Sequence, residues 1–314
     1  MLRNEPSIDF PWWKVRLRAA GRGSGYSPWR GAFESLLRVV YRGDWPARLW
    51  SVVPGAHEVV VARYRLDLPA GTGSPLRVAF VSDLHAGPTT PEPLLRAGFE
   101  AVRAANPDVL LLGGDYVFLD AEPQRLALIE ELVASVGCPT KLAVLGNHDL
   151  WACDHEIAEA LQRGGARVLV NESIRLPEPW SDVAVMGLDD PGTGFCDSAG
   201  AAAQLEGQPF RIVLCHSPDG LLHLAGVRFD VFLAGHTHGG QVAAPWGPVV
   251  LPHGALCRQF SAGPATLNGG WICVSRGLGG VEVPVRTFAP PDIVLLELSR
   301  KNHLEWGRVD PTAG

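Results

Sequence analysis

The spacing of apolar and polar positions changes repeatedly between residues 56 and 300, and each change marks an element. Continuous apolar runs that stop abruptly in polar residues read as buried strands: "LRVAFVSDLH", "VLLLGGD" and "KLAVLGNHD". Segments of helical period lie between them. In "TTPEPLLRAGFEAVRAANPD", Leu95, Phe99 and Val102 share one face, Pro91 suits a first turn, Thr89 with Glu92 has the form of a capping box, and Asn106-Pro107 ends the helix. A second helix is expected around residues 122–136, with Leu126, Ile129 and Val133 on one side. A third, "EIAEALQRGGA", is closed by Gly164 and Gly165. This β-α-β-α order argues for an α/β fold with parallel strands. Later strand-like runs (183–187, 210–216, 230–234, 271–275, 292–298) come with more turns and fewer helices. They indicate a second, more mixed sheet packed on the first.

The stretches outside this pattern differ in character. Residues 1–55 hold five of the ten tryptophans, and residues 1–50 carry nine Lys/Arg against four acidic residues in a chain of net charge -6. A basic head on an acidic body points to an anionic surface as a partner, membrane or nucleic acid. Within the head, "AFESLLRVVYR" has Phe33, Leu36, Leu37 and Val40 at helical spacing, with Glu34, Arg38 and Arg42 on other faces. Two readings stand: the helix packs on the body, or it lies at an anionic leaflet with its arginines and tryptophans at the boundary. Nucleic acid is not expected, because no recognition module is visible and the body is acidic. From about Lys301, residues 301–314 read as a polar tail.

Composition narrows the setting. With 314 residues, 46% of them hydrophobic, the chain has ample material for one large core, read as residues 56–300. The six cysteines form no CxxC pair, and most lie in or beside apolar runs, which favours free thiols in a reducing compartment. No run of about 18 apolar residues exists, so no membrane-crossing helix is expected. Pro11 and the charges from Lys14 to Arg18 interrupt any secretory core. The expected location is cytoplasmic, or peripheral on the cytoplasmic face of a membrane.

The candidate chemistry lies where the apolar runs end, because ligands of open α/β sheets bind outside the carboxyl ends of strands. Those ends offer Asp83 and His85, then Asp115, then Asn147, His148 and Asp149, then His216, then His236 and His238. Each ending alone reads as an ordinary polar turn, but five in succession do not. Carboxylate and amide oxygens mixed with imidazoles suit divalent iron, manganese, zinc or cobalt. The glycines of "GHTHGG" are expected to leave room beside the backbone for ions. His57, His155, His223, His253 and His303 belong to none of these endings and read as structural or surface residues, with His155 near enough in sequence to line a cleft. Arg258 and Arg276 read equally as anion contacts or as salt-bridge partners.

The ordered set Asp83-x-His85, Gly114-Asp115, "GNHD" (146–149), His216 and "GHTH" (235–238) resembles the calcineurin-like metallophosphoesterases from about residue 76 to 298. The blocks "SDLHAG", "GHTHGGQV", "GALCRQFSAG" and "VSRGLGG" resemble a bacterial phosphodiesterase branch that includes UDP-2,3-diacylglucosamine hydrolases. The resemblance implies a four-layer α/β/β/α sandwich of two mixed sheets flanked by helices. It also implies two divalent metal ions: one on Asp83, His85 and His238, the other on Asn147, His216 and His236, with Asp115 bridging. A bridging hydroxide would attack a phosphodiester or pyrophosphate in line, His148 would serve the leaving group, and Asp149 would orient or polarise His148. A lipid-linked substrate such as UDP-2,3-diacylglucosamine is the branch's suggestion; a protein or nucleotide phosphatase and a non-enzymatic scaffold are the rivals. Oligomeric state is not indicated. The chain departs from many relatives three positions after Asp115, where Phe118 replaces an acidic residue and Asp120 follows two positions later.

Overall fold

The computed structural model describes residues 23, 25–67, 74–205, 207, 209–252 and 254–299. Residues 1–22, the expected tail, His253 and His303 lie outside the described residues. Two helices come first, α1 (Pro28–Val40) and α2 (Trp45–Ser51). There follow β1 (Val60–Asp67), β2 (Leu76–Val81), α3 (Glu92–Ala105), β3 (Val109–Leu112), α4 (Pro123–Ser135), β4 (Thr140–Ala143), α5 (Asn147–Ala152), α6 (Asp154–Arg163) and β5 (Arg167–Val168). These strands, with the last one, β14 (Asp292–Ser299), make one sheet ordered β1-β14-β2-β3-β4-β5. In it β2, β3, β4 and β5 run parallel, and β14 is antiparallel to β2.

The second sheet is built from β6 (Glu172–Arg175), β7 (Val183–Gly187), β8 (Phe210–Leu214), β9 (Val231–Ala234), β12 (Gly263–Leu267) and β13 (Gly270–Val274), ordered β12-β13-β9-β8-β7-β6. Its centre is parallel and its edges antiparallel. A short α7 (Ser198–Ala203) and a 3-10 turn at Pro218–His223 cover its outer face, and β10 (Ala243–Ala244) with β11 (Gly247–Pro248) forms a separate hairpin.

Side-chain alternation explains the layering. Alternate residues of the first sheet (Val78, Phe80, Leu111) meet inward residues of the second (Val185, Ile212, Leu214, Leu233) in one apolar layer. The other face of the first sheet packs on α3, α4 and α6 through Leu95, Phe99, Val102, Ile129, Val133 and Ile157. Each of these fully buried side chains contributes roughly 1.5–3 kcal/mol. The result is the expected four-layer α/β/β/α sandwich, with the central strands of both sheets buried and the edge strands partly exposed.

Two local expectations change. Thr89 does not cap α3: Pro91 is the cap residue and makes no side-chain cap bond, while Thr89 Oγ1 donates to the Gly280 carbonyl at 2.5 Å. A buried hydroxyl must be paired, and here a tertiary partner offers more than a helix end. In α1 only part of the apolar stripe is buried. Leu37 and Glu34 face inward, while Phe33, Leu36 and Val40 stay exposed.

Candidate metal centre

The parallel strands β2, β3 and β4 of one sheet and β8 and β9 of the other all deliver their carboxyl ends to one place. Asp83 N–H donates to Gly114 O, and Gly235 N–H to His216 O, so the loops are bonded to one another where the strands stop. After β13 the "VSRGLGG" segment closes over them, with Leu278 N–H on Ser82 O and Gly279 N–H on Asp83 O.

The backbone here is strained in a pattern. Asp83, His85, Asp115, His236 and His238 all have positive φ, between 43° and 70°. The left-handed region costs a non-glycine residue about 1 kcal/mol or more, and such residues concentrate where function over-determines the geometry. The glycines serve a nearer purpose than expected. A Cβ on Gly235 would lie 2.1 Å from an Asp83 carboxylate oxygen, and one on Gly146 2.2 Å from Asp115 Oδ1. They make room for the protein's own carboxylates. Gly240, at φ 86°, makes room for Pro248.

Donor atoms converge in two sets around one carboxylate. His85 Nε2 lies 3.8 Å from Asp83 Oδ1 and 3.1 Å from His238 Nε2, which is 3.4 Å from Asp83 Oδ1. His216 Nε2 lies 3.2 Å from His236 Nδ1. Between the sets, Asp115 Oδ2 is 3.5 Å from His85 Nε2 and 3.1 Å from His216 Nε2. Asp115 Oδ1 is turned away, accepting from His148 N–H at 2.9 Å. The groups Asp83–His85–His238 and Asp115–His216–His236 each have geometry that could hold a metal ion. His236 and His238, two positions apart, thus face different sets. His85, Asp115 and His148 form a third such group.

These residues fit divalent cations by more than proximity. Asn147 Oδ1 is buried without a hydrogen-bond partner, a costly state for an amide oxygen unless a cation takes it. His216 Nδ1 lies 2.9 Å from the Gly113 carbonyl, so Nδ1 carries the proton when the ring is neutral and Nε2 presents a lone pair inward. His238 is unusual in having a cation behind it, with Arg286 Nη2 3.1 Å from its Nδ1.

Electrostatics follow from the crowding. Burial works to raise the pKa of Asp83 and Asp115, but the surrounding imidazoles outweigh it and hold both well below the carboxylate range. Burial opposes charge on His216 too, yet Asp115 holds its pKa well above the usual value. His148 and His238 are pushed well below theirs by burial, with neighbouring cationic groups adding to the effect. Burial and the nearby Asp115 push Asp149 up to about 8.

Asp149 acts through backbone N–H groups. Its Oδ2 accepts from the N–H groups of Asp115 and Gly146, and its Oδ1 from Tyr116 N–H. It pins the loop after β3 to the start of α5, and so sets Asp115 and His148 relative to each other through the backbone. Arg276 pairs with buried Asp292 at 3.1 Å, the salt-bridge alternative. His155 pairs with Glu159 on α6.

Sequence reasoning missed the groups around His148. Phe118 packs against the rings of His85 and His148, and Trp151 lies 5.3 Å from His148. Arg30 of α1 reaches His148 Nε2 with its Nη2 at 3.4 Å and lies over the Trp151 ring. A helix 118 residues distant in sequence leaves no local signal of that contact; only the departure at Phe118 marked this side of the site as different.

Comparison with known proteins agrees with this arrangement. Residues 76–240, more than half of the chain, match the calcineurin-like phosphoesterase family. The chain is 30% identical over 253 residues to phosphodiesterase YaeI of Escherichia coli, covering 78% of this chain and 89% of that protein. It is 28% identical over 231 residues to the metallophosphoesterase YkuE of Bacillus subtilis, covering 72% and 80%. It is 26% identical over 282 residues to the UDP-2,3-diacylglucosamine pyrophosphatase LpxG of Chlamydia muridarum, covering 70% and 83%. With strand-end chemistry, layered fold and sequence in agreement, the chain belongs to the calcineurin-like phosphoesterases and is a phosphoric ester hydrolase.

Proposed function

We propose that this chain hydrolyses a phosphodiester or pyrophosphate bond with two divalent ions held by Asp83, His85 and His238 on one side, Asn147, His216 and His236 on the other, and Asp115 between. The observation that carries the reading is the Asp115 Oδ2 atom, flanked by an imidazole nitrogen of each set. Manganese, iron and zinc all suit these donors. When bound, such ions supply Lewis acidity toward phosphoryl oxygens and ionise water at neutral pH. The chain's own residues do the rest. Asp115 offsets the repulsion between two cations, the His216–Gly113 bond fixes the ring's orientation, and His148, beside His85 and Asp115, is the group that would serve the leaving group. The test is turnover of bis(4-nitrophenyl) phosphate against the monoester after loading with manganese, iron or zinc. Diester turnover lost in His148→Ala supports the reading; no turnover of either ester with any ion overturns it.

A lipid-linked substrate reached from a membrane surface is favoured by a separate observation. On α1 and α2 and the turn after them, Trp29 (86% exposed), Val39 (74%), Leu49 (60%) and Val52 (77%) face outward beside Arg42 and Arg48. Apolar side chains among arginines suit an anionic interface. Among the described residues no helix is long and apolar enough to cross a membrane, so contact through this face would be peripheral. Similarity to a UDP-2,3-diacylglucosamine pyrophosphatase agrees with this substrate class.

A further inference from the structure

The helix α1 is built into the site beside His148. Phe118, three positions after Asp115, packs with Leu37 of α1 and with Leu119. Asp120, two positions later, receives Arg38 Nε at 2.9 and 3.0 Å. Tyr41 OH donates to the Glu282 carbonyl at 2.6 Å. The loop after Asp115 is thus the seat of α1, and α1 brings Arg30 to His148.

Arg30 is held as a positioned guanidinium. Its Nε donates to Glu34 at 2.7 Å and its Nη1 to Glu282 at 3.0 Å, while Trp151 lies beneath the plane. Glu34 is buried and shared with Arg38; Glu282 is open to solvent, where its field is screened. The Nη2 edge faces His148 Nε2. A fixed guanidinium beside an imidazole suits a phosphate, and here Nη2 is the nitrogen not taken by a carboxylate. It lies on the His148 side of the site.

Resting on the reading of the site as a phosphoesterase, we propose that Arg30 is a substrate-positioning residue that binds a second, non-transferred phosphate on the leaving-group side, and so selects pyrophosphate-linked substrates over simple diesters. A pyrophosphate leaves as a phosphate-bearing fragment whose charge falls at His148 and Arg30. A simple diester releases an alcohol with nothing for the guanidinium to hold.

The test compares wild type with Arg30→Gln and Arg30→Lys, all loaded with manganese. Binding of inorganic pyrophosphate and inorganic phosphate is measured calorimetrically, and kcat/KM is measured for UDP-glucose and bis(4-nitrophenyl) phosphate. Arg30→Gln should weaken pyrophosphate binding and UDP-glucose turnover by about ten- to a hundred-fold, as expected for a lost charge-assisted hydrogen bond. Phosphate binding and diester turnover should change less than about three-fold, the size of a peripheral perturbation. Arg30→Lys should fall between, keeping charge but not the fork. Equal loss toward both anions overturns the proposal, because Arg30 would then address the transferred group or only support the fold. No loss toward either anion also overturns it. If wild type turned over neither ester, the phosphoesterase reading would fail, and the pyrophosphate-to-phosphate binding ratio would still decide the role of Arg30.

Discussion

The two oxygens of Asp115 have different tasks. Oδ1 is held by His148 N–H, and Oδ2 lies between His85 and His216. Asp115→Asn keeps the shape but removes the shared charge. Metal affinity should drop by more than the roughly 10–100-fold that loss of an outer partner costs, measured by titration of metal-free protein. His148→Ala should lower kcat by about 10²–10⁴ while leaving metal content unchanged, since the backbone N–H that holds Asp115 remains. Metal analysis of that variant is decisive: loss of an ion would make His148 a ligand, as its grouping with His85 and Asp115 allows. His216 gives a pH prediction. Its pKa is held well above the usual value by Asp115, so the metal-free protein keeps this proton at neutral pH. An ion must displace it, and affinity should therefore rise with pH, with proton release visible as a buffer-dependent enthalpy.

At the scale of elements, α1 buries one residue of its apolar stripe, Leu37, together with Glu34, and leaves the rest of the stripe open. The seat on Phe118, Leu119 and Asp120 takes Leu37 and Arg38, and buried Glu34 is paid for by Arg30, Tyr26 and Arg38. The outer stripe is left open. Arg38→Gln should loosen this docking, measured as faster cleavage by trypsin within residues 42–48 and reduced turnover of pyrophosphate-linked substrates, with stability of the sandwich little changed. Surface contact is a separate property of the outer stripe. Leu36→Glu with Val39→Glu should abolish sedimentation with anionic vesicles and preserve turnover of bis(4-nitrophenyl) phosphate; unchanged sedimentation would exclude this face as the contact.

At the scale of the whole molecule, the site joins the two sheets, so its charge balance bears on stability. Asp83 and Asp115 have depressed pKa values: their contribution is present above the unfolded value of about 3.9 and fades as pH falls below it toward their folded values. His216 has a raised pKa: its contribution is full below about 6.5 and fades as pH rises through its folded value. In metal-free protein these three groups favour about pH 4 to 6.5, but His148 and His238, whose pKa values are lowered, withdraw stability as pH falls below about 6.5, so the cluster should stabilise most near the upper end of that window. Bound metal should extend stability to higher pH by replacing the proton on His216. Thermal melts across pH with and without manganese check both statements.

The order of elements and the identity of the strand-end residues were set by the sequence itself. Buried strands need continuous apolar runs, and polar residues placed straight after them can only gather at the sheet ends, so Asp83, His85, Asp115, Asn147, His216, His236 and His238 were legible before any coordinates. The glycines were legible as close approaches, though not whose atoms approached. What only the tertiary structure decided is what depends on contacts between distant segments. Thr89 turned from a cap to a partner of Gly280, Asp149 became a brace on three backbone N–H groups, and most of the apolar stripe of α1 stayed open. Arg30 reached His148 across 118 positions of sequence. Local pattern fixes periodicity and chain order; which side of a helix finds a seat depends on the shape and charge of a surface that exists only once the sheets have closed.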